Sequence, residues 1–255
     1  MKNLYSTILL SLLIFTPLHS NAQMPASQGR YWGQFESHYE SNGNNGAGLC
    51  FNPNKSLYYT VFAGNANFDL EVFNSEHTVI YKGPISADVR SLWFNPKKNI
   101  LEGILYNNEG SFQILLDEQG IPQTLEITDQ KFGHNPQYGA TFNPKKGEII
   151  FVENMQIHIY KGKKKRTIKL NGTTDNLVES APQWTGIPGY ELAILGTEQH
   201  IVYLFDYKSG KQTAQVAIPD FDGENIYILN CGYSQKEFFL FQKELKIWYG
   251  FTIFQ

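Results

Sequence analysis

One short pattern constrains this chain more than any other feature. Phe51-Asn52-Pro53-Asn54-Lys55 recurs 43 residues on as Phe94-Asn95-Pro96-Lys97-Lys98, and 48 further on as Phe142-Asn143-Pro144-Lys145-Lys146. Each copy leads into an apolar run: Leu57 to Phe62, Ile100 to Tyr106, Ile149 to Val152. Two degenerate copies extend the series. Trp184-Thr185-Gly186-Ile187-Pro188 precedes Leu192 to Leu195, and Cys231-Gly232-Tyr233-Ser234-Gln235-Lys236 precedes Phe238 to Phe241. Spacing and pattern align Gly232 with Phe51. A repeat of this length is one supersecondary unit that buries its apolar face only by stacking on neighbours.

Within a unit the pattern predicts four strands. In the third, Tyr138 to Phe142 is a strand, and Asn143 to Gly147 is a turn with Pro and Gly in turn-forming places. Glu148 to Glu153 is the next strand. Met155 to Tyr160 alternates polar Gln156, His158 and Tyr160 with Ile157 and Ile159, the period of a strand. Lys161 to Lys165 then turns the chain into Arg166 to Leu170. The second unit gives Ser111 to Leu116 and Gln123 to Ile127; the fourth gives His200 to Phe205 and Gln212 to Ile218. No segment after the N-terminus has helical periodicity.

Four strands per unit of this length resembles the blade of β-propeller repeat proteins in general. The recurring segment is similar to the inner strand and following turn of NHL-like and WD40-like blades, over about residues 43–255. The Gly-His and Trp-Asp marks of WD40 repeats are absent, as is the Ser-x-Asp-x-Gly-x-Thr-Trp box of sialidase-type propellers. The expected fold is all-β, a five-bladed β-propeller with an N-terminal strand closing the last blade. Its units are 43–85, 86–133, 134–176, 177–223 and 224–255. The last unit runs out after three strands, and Arg30 to Phe35, in the segment 30–36, supplies the fourth. Such closure removes open sheet edges. An open β-sandwich is the competing architecture.

The first residues read as a secretory signal peptide: Lys2, an apolar stretch from Ile8 to Phe15, and a small-x-small site at Ser20-Asn21-Ala22. The expected organisation is a leader over 1–22 and a single domain over 23–255, secreted or periplasmic. The apolar stretch is shorter than the ~20 residues of a membrane span, and no later segment is long and apolar enough. The 255 residues carry a formal net charge of −3, which gives no broad attraction to nucleic acid. Lys161 to Arg166 is the one dense basic run, read as a solvated hairpin tip.

Export permits a disulfide. Cys50 and Cys231 hold the same place in the first and last units under this alignment, so a bond between them would lock the ring. The alternative is two buried free thiols. Propellers usually bind ligands where the outermost strand of one blade loops into the innermost strand of the next. Those loops hold Glu40, Asp88, Arg90, His134, Gln137, Glu179, Asp222 and Glu224. Asp88 and Glu179 are the candidate catalytic pair, an acid and base for a glycosidic bond. Arg90, His134, Gln137 and Glu224 are candidate binding residues. No cofactor is expected, although a ring of carboxylates in the central channel suits Ca²⁺. Nucleophile-elbow, zinc-protease and phosphate-loop motifs are absent. Trp32, Trp93, Trp184 and Trp248 are read as core rather than as sugar-stacking platforms. Asn171-Gly172-Thr173 is an N-glycosylation sequon, informative only in a eukaryotic source. The expected function is a non-catalytic binding module that docks a protein or a carbohydrate on the loop face; the alternative is a carbohydrate-active hydrolase or lyase.

Overall fold

A computed structural model describes residues 23–38, 45–64, 69–128, 132–135, 137–172, 177, 181–219, 221 and 226–255. The expected leader lies outside them. Apart from one 3-10 turn at Tyr106–Asn108, the regular elements among these residues are strands. β1 (Pro25–Glu36) comes first. β2 (Asn45–Asn52), β3 (Leu57–Ala63), β4 (Asp69–Phe73) and β5 (Val79–Pro84) form one four-stranded sheet in chain order. β6 (Val89–Asn95), β7 (Ile100–Leu105), β8 (Ser111–Leu116) and β9 (Pro122–Thr128) form a second. β10 (Ala140–Asn143), β11 (Glu148–Glu153), β12 (Gln156–Lys161) and β13 (Lys164–Lys169) form a third.

The remaining strands are β14 (Gln183–Trp184), β15 (Leu192–Gly196), β16 (Ile201–Phe205), β17 (Gln212–Ala217), β18 (Cys231–Ser234), β19 (Glu237–Gln242) and β20 (Ile247–Phe254). With β1 they make an eight-stranded sheet, ordered β14-β15-β16-β17-β1-β20-β19-β18. Its two halves meet at one parallel pair, Gln28 with Ala217. The N-terminal strand pairs antiparallel with β20, from Arg30 opposite Thr252 to Phe35 opposite Trp248. Phe35 is fully buried there, so the closing strand contributes core as well as hydrogen bonds.

The repeated motif has a physical reason. The side-chain oxygens of Asn52, Asn95 and Asn143 accept the backbone N–H two residues on, at 3.0, 3.1 and 3.1 Å. This closes an Asx turn, and the following proline presets the backbone angle the turn needs. The turn ends on a left-handed residue, Ser56, Asn99 or Gly147, with φ of 55°, 57° and 66°.

The innermost strands stand side by side around an axis: β2 beside β6, β6 beside β10, β10 beside β14, β14 beside β18, and β18 beside β2 again. The apolar cores lie between the facing sheets. Two strand boundaries differ from expectation. The last hairpin of the third sheet turns on Gly162 and Lys163, so Lys164 and Lys165 belong to β13. Gly162 has φ +56°, which lets the turn close in two residues. The basic run is therefore mostly an outer strand, whose exposed Lys164, Lys165 and Arg166 guard an open sheet edge. His200 lies in the turn before β16, at φ +52°, rather than in the strand.

Candidate functional site

The axis has two ends. At the loop end, chain enters each innermost strand; at the turn end, the repeated motif leads out of it. Asp88, Arg90 and Gln137 come together at the loop end. Arg90 is buried at 5% exposure and forms a forked ion pair with Asp88, its second nitrogen at 3.4 Å. It also donates to the Val89 carbonyl at 2.9 Å. Asp88 accepts the Gly64 N–H at 3.2 Å. The Arg90 guanidinium lies 4.2 Å from the centre of the Tyr106 ring, a cation–π contact. Gln137 donates to the Tyr106 hydroxyl at 3.3 Å and accepts from the Tyr227 hydroxyl at 3.5 Å. Residues entering three of the innermost strands thus meet one another, while the buried Arg90 Nε finds no partner among the described residues. Packing is tight beside them: a Cβ on Gly139 would lie 2.8 Å from the Ala181 Cβ and 3.0 Å from the Arg90 carbonyl oxygen.

His134 is placed elsewhere. Its ring stacks on Phe151 at 3.9 Å between centroids and on Phe132 at 6.1 Å. Burial, with smaller contributions from the Lys165 and His158 charges, lowers its pKa to about 4. The ring is thus buried against aromatic side chains. Glu40, Glu179, Asp222 and Glu224 lie outside the described residues, and so does the Asp88–Glu179 pairing expected for catalysis. Among the described residues, no group of three or more His, Cys, Asp or Glu is placed to hold a metal ion. No helix among them is long and apolar enough to cross a membrane.

The turn end holds a cavity of about 380 Å³. Phe51, Phe94, Phe142, Trp184 and Tyr233 line it, one aromatic from each innermost strand. Each stands one residue before the strand's last ladder position: Phe51 pairs with Tyr58, Phe94 with Leu101, Phe142 with Ile149 and Tyr233 with Phe238. Trp184 pairs with Leu192, and the next residue's N–H reaches the Glu191 carbonyl. Trp93 joins the wall and stacks on Phe142 at 5.8 Å, with 17° between the rings. Sequence reasoning took the recurring aromatic as a mark of architecture. Its identical register in every unit was the signal for this ring.

That register corrects the alignment of the last unit. Tyr233, not Gly232, is the counterpart of Phe51, because Ser234 pairs with Glu237 across a two-residue turn. Cys50 sits two residues before its closing pair and Cys231 three. A one-residue offset turns a side chain to the opposite face of its strand. Gly232 faces β2, where a Cβ would lie 2.7 Å from the Leu49 Cβ. Cys231 therefore points away, its sulfur 3.5 Å from the Ala181 carbonyl. Cys50 alternates with Leu49 and points away from β18. Both cysteines are buried free thiols, the second of the two alternatives, and the candidate disulfide is not formed. Burial raises the pKa of both, that of Cys231 to about 12.

Trp93 and Trp248 are core, as expected, at 7% and 0% exposure. Trp184 is half-buried on the cavity wall.

No family model and no curated protein sequence matches this chain. Solved structures do match in shape. Glutaminyl cyclase from Myxococcus xanthus superposes with a TM-score of 0.60 at 8% identity, over 88% of this chain and 95% of that one. Regucalcin from Agrobacterium tumefaciens, a calcium-binding protein, superposes with a TM-score of 0.52 at 11% identity, over 90% and 96%. The propeller domain of a fungal Cps50 (Swd1) matches at a TM-score of 0.45 and 7% identity, over 86% and 85%. The chain has a β-propeller fold. At these identities the likeness is one of fold alone.

Proposed function

We propose that this protein is an exported, five-bladed propeller, one domain from residue 23 onward, that serves as a non-catalytic binding module. The circuit of innermost strands and the division of the eight-stranded sheet at one parallel pair support five blades, the last completed by β1. The leader-like N-terminus supports export. The ligand, a protein or a glycan, docks on the loop face.

The observation that carries the reading is the state of Asp88. A general acid or base needs a carboxyl free to exchange a proton with a substrate. This one is held by a buried arginine and a backbone N–H, and that arginine is itself stacked on Tyr106. The group is spent on structure.

The test uses the chain from Gln23 to Gln255 over an immobilised glycan panel and a pull-down with immobilised chain. The flow-through is assayed for released sugar. Retention without product is the expected result, with Asp88→Asn lowering stability and creating or removing no turnover. Sugar release that Asp88→Asn abolishes would overturn the reading in favour of a hydrolase or lyase.

A further inference from the structure

We propose that the axial cavity at the turn end is a second binding site, for a small aromatic carboxylate. Its volume, about 380 Å³, falls near the lower end of the ~300–1,000 Å³ typical of small-molecule pockets. The case rests on three observations, of wall, polarity and charge.

The wall carries one aromatic side chain from each innermost strand. Aromatic ligands gain both area and edge or offset-stacked contacts from such a wall.

Most polar groups on the wall are already committed. The Thr141 hydroxyl accepts the Trp184 N–H at 2.9 Å. The Thr185 hydroxyl donates to the Tyr190 carbonyl at 2.6 Å and accepts the Ile187 N–H at 3.1 Å. The Gln183 amide donates to the Ala181 carbonyl at 3.2 Å. A sugar would bring hydroxyls on every side and find too few partners, which costs affinity.

Two lysines stand next to the wall. Lys145 follows Pro144, which lines the cavity, and the Lys97 ammonium reaches the Lys145 carbonyl at 3.2 Å. Both are exposed, and neither pairs with a carboxylate among the described residues. The acids on the adjoining strands are already engaged. Glu102 accepts from Trp93, Asn95 and Lys98. Glu148 accepts from Asn143 and faces Arg166. Glu237 accepts the Lys236 N–H. The net field at the mouth therefore favours an anion.

The test titrates the chain from Gln23 to Gln255 with 1-naphthoate and with its neutral analogue 1-naphthylmethanol, by calorimetry and tryptophan fluorescence. Naphthoate is expected to bind at least about tenfold more tightly than the alcohol at low salt, the gap narrowing as salt rises. The double variant Lys97→Gln/Lys145→Gln, on exposed turns, should weaken naphthoate about fivefold or more and leave the alcohol unchanged. Trp184→Phe should reduce the fluorescence change while calorimetric binding persists. No binding at ~1 mM, equal affinity for anion and alcohol, or insensitivity to the double variant would each overturn the proposal. Trp93 shares the wall, so a fluorescence change unaltered in the double variant Trp93→Phe/Trp184→Phe would place the ligand elsewhere and overturn it too. Loop-face retention in saturating naphthoate reports on the other site alone.

Discussion

At the loop end of the axis, Arg90, Tyr106, Gln137 and Tyr227 extend long polar side chains that meet one another. At the turn end the same innermost strands finish on Phe51, Phe94, Phe142, Trp184 and Tyr233, which ring a void. Backbone geometry is nearly the same at both ends. The contents differ because polar groups with complementary donors and acceptors can close a gap by bonding across it. Rigid rings at matching register keep one another apart. The residue type found at each level along the axis thus decides whether facing side chains bond across it or line a cavity. Aromatic side chains at equivalent register line the turn end, whereas the network at the loop end draws different residues from different units.

The largest effect should come from breaking the polar network at the loop end. Arg90→Met removes a 5% exposed cation and leaves Asp88 facing a buried methyl group. Breaking one side of such a pair costs about 3 kcal/mol, here tempered by the partial exposure of Asp88, 24%. For a chain of this size that is a drop of roughly 6–12 °C in Tm, measured by thermal unfolding. A loss under about 1 kcal/mol would mean that the loop end is held by something other than this network, and the contrast between the two ends would weaken.

A smaller loss is expected at the turn end. Phe142→Ala deletes a ring that stacks on Trp93 on one side and borders the void on the other. Phe→Ala in a filled core costs about 3–5 kcal/mol. A side chain with no neighbours toward the cavity has fewer contacts to lose, so about 2 kcal/mol is expected by urea denaturation. A cost equal to a full-core value would show that the void is packed in solution, and the aromatic ring would then be ordinary core.

Much of this was legible in the sequence, for identifiable reasons. The Asn-Pro turn repeats because each asparagine closes its own turn, a local interaction that leaves a local mark. The closing role of Arg30 to Phe35 followed from counting strands in the last unit. What escaped depends on packing and register that the local sequence does not name. His134 was assigned to the binding face because it sits in a loop segment, yet its place is decided by Phe151 and Phe132, which the loop sequence does not name. The cavity escaped because an aromatic that lines a void and one that fills a core have the same identity in the chain. The last unit was read one residue out of register because its turn has two residues and no Asn-Pro to anchor the alignment.

That one-residue slip leads to the smallest expected effect, and it is the sharpest check on where the two ends meet. Under the sequence alignment, Cys50 and Cys231 face each other and a bond joins the first and last units. Under the observed register they point to opposite flanks of adjacent strands, and no rotamer change brings them together, because side-chain direction alternates with the pleat. The refolded, air-oxidised chain from Gln23 to Gln255 should therefore show the same Tm with and without reductant. Thiol titration should find both sulfhydryls unreactive in the native state, where burial also disfavours the thiolate, and both reactive in denaturant. A Tm that falls by several degrees on reduction, with no thiols in denaturant, would restore the bond. It would also move Tyr233 off the wall, leaving the aromatic ring one member short.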